Sequence, residues 1–223
     1  ARWERDSKIA RHVADLAGVP AISSTLVNEG GAIHVDGEGT LLTTEECLLN
    51  PNRNPDLSRE QIEEHLEAYL GVEKVLWLGE GTYLDETDGH VDNLCCFVRP
   101  GVVALTWTGD QHDPQHAISL DARRRLEAAT DAHGRSLEVH VLHQPGPLYM
   151  TEEEARGRDH VEGSLSRPAG DRMAGSYVNF YAANDRVVLP LLDERWDEAA
   201  GEALEGLFPD RRVVGVPARE ILL

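Results

Sequence analysis

Basic side chains are scarce in this sequence. Its 223 residues include 21 lysines and arginines against 40 aspartates and glutamates, which gives a formal net charge of −19. Nucleic-acid binding needs a basic surface that neutralises phosphates, so this composition argues against DNA or RNA as a partner. A negative surface instead concentrates cations near a cleft, which favours a small cationic substrate.

Long apolar runs and paired cysteines are also missing. The apolar stretches are short fragments such as residues 102–105, far below the roughly 20 residues that span a bilayer, and the first residues do not follow a secretory signal pattern. The three cysteines, Cys47, Cys95 and Cys96, have neither disulfide nor zinc spacing. We therefore expect no membrane partner and a reducing, cytoplasmic location.

What the sequence does contain is a β-β-α-β order that occurs three times. A hydrophobic content of 41% is typical of a folded chain, and we predict one α/β domain over residues 1–223. In the first unit, Ser58 and Gln61 form a capping box that begins a helix, Gly71 ends it, and Ile62, Leu66 and Leu70 face inward. The strands of this unit are predicted at 32–35, 40–44 and 74–78.

The second and third units follow the same order. For the second unit we predict strands at 89–98, 102–107 and 137–142 with a helix over 120–132. For the third we predict strands at 177–182, 187–191 and 212–216 with a helix over 193–207. A helix over 3–17 precedes the units, residues 219–223 resemble the first strand of a fourth, and both ends suggest a fragment. The charged, Gly/Pro-rich stretch 143–175 is long enough to be functional or disordered.

Repeated units can close into a ring, and the first strand of each would then aim polar side chains at a shared centre. His34 and Asp36, and likewise His90 and Asp92, are spaced i, i+2, which places each pair on one face of a strand. Polar residues on such strands are costly to bury unless they are used. One use is a metal site, since imidazole and carboxylate bind metals, although no HExxH motif or cysteine pair supports it.

The other use is a carboxylate cage around a histidine. Glu29, Asp88 and Asp92 flank His90, and glycines mark the entrances of the strands that carry them. Two carboxylates can hold a planar guanidinium through paired charge-assisted hydrogen bonds. A neighbouring histidine can move protons near neutral pH. From the residues alone, this grouping does not name a reaction.

Four segments, residues 29–48, 85–93, 147–154 and 174–181, closely resemble the agmatine deiminase family, which shares its fold with bacterial peptidylarginine deiminases. The resemblance implies a five-bladed α/β propeller of ββαβ units, the pentein fold, of which this chain is a partial copy without the N-terminal blade. It implies hydrolysis of agmatine to N-carbamoylputrescine and ammonia. It further implies no cofactor, no metal and a homodimer.

The resemblance also assigns roles within the site. It places the family's catalytic glutamate on Glu29, its catalytic histidine on His90 and its guanidinium-binding aspartate on Asp92, and Asp88 joins Glu29 and Asp92 as a substrate-binding residue. Asp92 would hold the cation, Glu29 would accept hydrogen bonds from its nitrogens, and His90 would protonate the leaving ammonia and then activate water.

The family's nucleophilic cysteine follows a strand similar to residues 219–223, so the resemblance places it beyond Leu223. Cys47 follows two glutamates, which disfavour a thiolate. Cys95 and Cys96 lie in an apolar strand, where cysteine is usually an inert core residue. We therefore expect the chain by itself to be inactive, although the gene product would be a deiminase.

Two other interpretations stay open. The first keeps the chemistry but takes arginine, free or in a protein, as substrate; a basic residue near the pocket would then bind its carboxylate, and the stretch 143–175 offers Arg156, Arg158, Arg167 and Arg172. The second is a non-catalytic module that senses guanidines or polyamines through Glu29 and Asp92.

Overall fold

The computed structural model describes residues 5, 8–158 and 167–223, and three β-β-α-β units follow one another within them. Helix α1 (Ile9–Ala17) comes first. The first unit then contains β1 (Ile33–Val35), β2 (Thr40–Thr44), the short α2 (Glu45–Leu48), α3 (Arg59–Leu70) and β3 (Lys74–Leu78). The second contains β4 (Cys95–Arg99), β5 (Val102–Trp107), α4 (Pro114–Ala128) and β6 (Glu138–His143).

A connecting region separates the second unit from the third. It contains β7 (Leu148–Tyr149), α5 (Glu152–Gly157) and β8 (Arg172–Met173), and residues 159–166 lie outside the described part of the chain. The third unit contains β9 (Tyr181–Ala183), β10 (Arg186–Leu191), α6 (Asp197–Leu207) and β11 (Arg212–Pro217). The predicted long loop over 143–175 is therefore partly structured.

Each unit forms a three-stranded sheet whose central strand is the second one. The first two strands pair antiparallel, and the second pairs parallel with the third in all three sheets. A parallel pair needs a crossover, which the helix of each unit provides. The threefold repeat predicted from element order is thus confirmed.

The predicted α/β class is also confirmed, but the five-bladed propeller, of which the chain was predicted to be a partial copy, is not. The described residues form three separate three-stranded sheets and one two-stranded sheet, none of them closed. The apolar core is correspondingly divided into three clusters. One is centred on α3 and β2, one on β4, β5 and α4, and one on β10, α6 and the β7–β8 hairpin.

The capping box of α3 is confirmed. Ser58 Oγ accepts a hydrogen bond from the Gln61 amide, and the Gln61 side chain accepts one from the Ser58 amide. Gly71 ends the helix at a φ of 68°. The prediction that Leu70 faces inward is wrong, because Leu70 is 46% exposed. Residues spaced by four advance about 40° beyond a full turn at each step, so the last member of the row rotates away from the core.

Several predicted boundaries are also wrong. Helix α4 begins at Pro114 rather than at 120, because Asp113 caps it and proline suits the first turn. Helix α6 begins at Asp197 rather than at 193, β9 begins at Tyr181 rather than at 177, and β4 begins at Cys95 rather than at 89. The predicted strand over 219–223 is instead a 3₁₀ turn over Arg219–Leu222.

Helix α1 has the predicted apolar face, but that face is open. Ile9, Val13 and Leu16 are all more than half exposed. Of the predicted helix over 3–17, residues 3, 4, 6 and 7 lie outside the described part. None of the helices in the described ranges has both the length and the hydropathy that crossing a bilayer would require.

Candidate functional site

Two 3₁₀ turns carry the acidic and imidazole side chains of the candidate site. Glu29 directly precedes the turn Gly30–Ala32, and His90 directly precedes the turn Val91–Asn93, which contains Asp92. The prediction that His90 and Asp92 share one face of a strand is therefore wrong. The cause lies just before them, since Asp88 and Gly89 adopt φ values of 54° and 85°, outside the extended region of a strand.

Gly31 is the point at which the two turns meet. A Cβ atom at this position would lie 2.5 Å from Asp92 Oδ2 and 2.5 Å from His90 Nδ1. A side chain at this position would force the Asp92 carboxylate and the His90 imidazole to move. Because Gly31 has no side chain, the backbone two residues after Glu29 can pack directly against His90 and Asp92.

Arg53 connects these two segments, and we did not identify it from the sequence. Its Nε lies 2.9 Å from both carboxylate oxygens of Glu29, and its Nη2 donates to the Thr87 carbonyl at 2.5 Å. The Nη1 atom lies 3.6 Å from Asp88 Oδ2. Since 24 residues separate Arg53 from Glu29, no periodicity connects them, and only the fold brings them together.

His90 and Asp92 each present a buried polar atom without a hydrogen-bond partner. These atoms are His90 Nε2 and Asp92 Oδ1. His90 Nε2 lies 3.6 Å from Glu29 Oε2, too far for a hydrogen bond. Burial raises the pKa of the Asp92 carboxyl, although the nearby His90 lowers it in part. Buried polar groups are normally paired, so unpaired ones at one place indicate a site that a ligand completes.

A cavity of 240 Å³ adjoins these two residues. His90, Asp92, Asn93 and Asn179 line it, as do residues 84–87, Arg167, Ala174, Ile221 and Leu222. Glu29 and Asp88 do not line this cavity, and both are about half exposed at their side chains. Of the predicted site residues, the structure therefore places His90 and Asp92 at the cavity wall, and Glu29 and Asp88 in contact with Arg53.

The predicted alternative metal pair of the first unit has structural partners instead. His34 Nδ1 accepts a hydrogen bond from the Phe97 amide, which links β1 to β4. Asp36 Oδ1 accepts from the amides of Glu38 and Thr40 and so closes the β1–β2 turn. Neither residue reaches the His90 region in these contacts, so the structure gives no support to a shared metal centre.

Ligand atoms of Glu29, Cys47 and His90 lie within 4.8 Å of one another. The Arg53 guanidinium already donates hydrogen bonds to the Glu29 carboxylate. Its positive charge would repel a metal ion bound by these three residues.

All three cysteines are buried. Burial raises the pKa of the Cys47 thiol to about 11 and that of Cys96 to about 12, and it also raises the pKa of Cys95. A thiolate is the reactive form of cysteine, and a raised pKa keeps these thiols protonated at neutral pH. Cys95 and Cys96 lie in β4, inside the core, as the apolar pattern predicted.

The family model for Porphyromonas-type peptidyl-arginine deiminase matches residues 1–223. The chain belongs to this family. A protein of Shewanella sp. (strain MR-7), provisionally named agmatine deiminase, is 55% identical over 221 residues, which cover 99% of the chain. The solved structure of the agmatine deiminase of Enterococcus faecalis catalysing its reaction is 44% identical and superimposes with a TM-score of 0.93 over 99% of the chain.

A third relative, which is also a solved structure, carries a different substrate in its name. This protein of Porphyromonas gingivalis is provisionally named arginine deiminase. It is 32% identical and superimposes with a TM-score of 0.78 over 97% of the chain. The chain covers 60% of the length of each of these three relatives. The family match therefore covers the whole chain, but the chain matches only part of the length of these relatives.

Proposed function

We propose that the protein containing this chain hydrolyses the guanidine of agmatine to N-carbamoylputrescine and ammonia. The observation that carries the proposal is the pair of unpartnered buried atoms, His90 Nε2 and Asp92 Oδ1, beside one cavity. A guanidinium would supply hydrogen-bond donors to the Asp92 carboxylate, a geometry in which such bonds are strong. The high identity to agmatine deiminases supports the same substrate.

Each side chain has a definite task in this proposal. A thiolate attacks the guanidinium carbon, and a C–S bond forms while a C–N bond breaks. His90 gives a proton to the departing nitrogen, which leaves as ammonia, and then takes a proton from the water that breaks the C–S bond. Asp92 orients the cation, and Glu29 holds negative charge beside His90 Nε2 at 3.6 Å. Asp88 adds charge near Arg53 and, as a substrate-binding residue, stays a prediction.

The thiolate in this proposal does not come from the 223 residues. Cys47, Cys95 and Cys96 are completely or almost completely buried, and their raised pKa values leave little thiolate. We therefore propose that a cysteine elsewhere in the protein attacks the substrate, and that residues 1–223 alone bind guanidines without turnover. We further propose that residues 1–223 form part of a single catalytic domain and that the complete protein is a homodimer.

The charges around the cavity favour agmatine over arginine. Recognition of arginine would need a free cation for its carboxylate. Arg167 is the one arginine among the described residues that line the cavity, and Glu86 lies 3.1 Å from it. Arg172 is held by both oxygens of Asp113 at 2.9 Å. With these cations paired, the remaining acidic side chains favour a substrate without a carboxylate.

Turnover by the complete protein tests the proposal. We expect ammonia release from agmatine, with N-carbamoylputrescine identified by mass spectrometry, at a kcat/KM at least 100-fold above that for arginine or a peptidyl-arginine. Arg167→Ala serves as a control and should not create arginine turnover. Preference for arginine would favour the interpretation with arginine as substrate, and agmatine binding without ammonia release would favour the non-catalytic sensor.

The chain of residues 1–223 provides a separate comparison. If the nucleophile lies outside it, the purified chain releases no ammonia at any agmatine concentration. Ammonia release by this chain that thiol alkylation abolishes would show that one of its three cysteines is the nucleophile.

A further inference from the structure

We propose that Arg53 is a positioning residue for the reaction, a role that rests on the function proposed above. Its guanidinium holds Glu29 in place and ties the segment that carries Glu29 to the segment that carries His90. Neither the family's expected site nor the sequence pattern assigns it such a role.

The backbone around Arg53 is fixed by its neighbour. Asn54 is 5% exposed, and its side-chain amide donates to the carbonyls of Val27 and Leu48, both at 3.1 Å. The Val27 amide donates back to Asn54 Oδ1 at 3.0 Å. Asn54 therefore locks the loop that carries Arg53 onto the chain two residues before Glu29.

The side chain of Arg53 adds a second contact with the segment that carries Glu29 and a contact with the segment that carries His90. Its Nε contacts both Glu29 oxygens, and Nη2 donates to the carbonyl of Thr87, three residues before His90. The Arg53 side chain is only 9% exposed, whereas Glu29 is 43% exposed. A half-exposed glutamate would otherwise sample several rotamers, and the guanidinium restricts it to the orientation that faces His90.

Arg53 itself does not line the 240 Å³ cavity. It therefore acts through Glu29 and the Thr87 carbonyl rather than on the substrate. Lysine cannot replace it, because an ammonium is a point charge that cannot reach Glu29 and Thr87 in the same plane. A misplacement of about 1 Å in catalytic geometry can cost about 100-fold in rate, which sets the size of the expected effect.

The test is a double-mutant cycle in the complete protein with Arg53→Met, Glu29→Gln and the two combined. We expect Arg53→Met and Arg53→Lys each to lower kcat for agmatine by about 100-fold, with KM changed less than threefold. In the Glu29→Gln background, Arg53→Met should lower kcat by much less than in the wild-type background, because Glu29 has already lost its charge and only the contact with the Thr87 carbonyl remains to be lost. Arg135→Met, which breaks ion pairs to Asp131 and Glu38 elsewhere, is the matched control and should leave kcat unchanged.

Three results would overturn the proposal: an equal loss in the Arg135→Met control, full activity of Arg53→Lys, or an additive loss in the double variant. A crystal structure of the Arg53→Met protein gives a readout that needs no turnover. We expect the Glu29 carboxylate to move away from His90 Nε2, and an unmoved carboxylate would contradict the role. If the wild-type protein does not act on agmatine, the proposed function fails, while this structural comparison still decides the role of Arg53.

Discussion

Replacing Asp92 by asparagine should stabilise the folded protein while it removes activity. Asp92 Oδ1 is buried without a partner, and burial raises the pKa of its carboxyl. A buried polar group without a partner costs about 1–3 kcal/mol, and a charged one costs more. Because asparagine has no charge to bury, we expect Asp92→Asn to raise the free energy of unfolding by about 1 kcal/mol at pH 7. For a protein of about 150–250 residues that corresponds to about 2–4 °C in Tm, and the shift is smaller in a longer protein.

The stabilisation should depend on pH in a defined direction. A raised pKa in the folded state means that ionised Asp92 opposes folding, and that this cost is absent below the unfolded-state value of about 3.9. The cost appears as the pH rises through the folded-state pKa and is complete above it. The advantage of Asp92→Asn should therefore be present at pH 7 and vanish near pH 3.

Denaturant unfolding of the complete protein at both pH values measures this difference, with ammonia release followed in parallel. Agmatine should raise the Tm of the wild-type protein, since a ligand that binds only the folded state stabilises it, and should raise that of Asp92→Asn much less. A variant that is no more stable at pH 7, or equally stabilised at pH 3, would refute the assignment of an unpaired buried charge to Asp92.

Two further predictions use substitutions for which the chain offers a clear contrast. Gly31→Ala should abolish agmatine hydrolysis, because its methyl group would lie 2.5 Å from Asp92 Oδ2 and His90 Nδ1. Gly30→Ala is the control: its methyl group would enter open space, so this variant should keep at least half of the wild-type kcat. Equal losses of kcat in the two variants would contradict the close contact at Gly31. Cys47→Ala should keep turnover within about tenfold of wild type and lower the free energy of unfolding by about 1–2 kcal/mol, because Cys47 is a buried core residue. Complete loss of ammonia release from a folded Cys47→Ala variant would show that Cys47 takes part in the chemistry.

The repeat and the α/β class could be predicted from the sequence because they depend on local signals. The capping box of Ser58 and Gln61 and the turn at Gly71 lie within single helix ends, and the structure confirms them. The predicted ends of helices and strands were wrong where one local sequence signal competes with another. The apolar content of residues 89–98 indicated a strand, whereas the left-handed backbone at Asp88 and Gly89 forms a turn that delays β4 to Cys95.

The candidate site could be predicted only as a set of residue types. Amino-acid identity and the resemblance named Glu29, His90, Asp92 and Asp88, because carboxylates can hold a guanidinium and an imidazole can move protons. Their arrangement on two facing 3₁₀ turns could not follow from an i, i+2 spacing, since that spacing presupposes a strand.

The sequence by itself determined the order of elements, the acidic charge and the chemical classes of the site residues, because each depends on residues close together in the chain or on composition. Only the tertiary structure decided that Gly31 meets His90 and Asp92, and that Arg53 reaches Glu29 and Thr87. These contacts join segments 24 to 61 residues apart. Packing of one unit against the next sets such distances, and no local propensity encodes them.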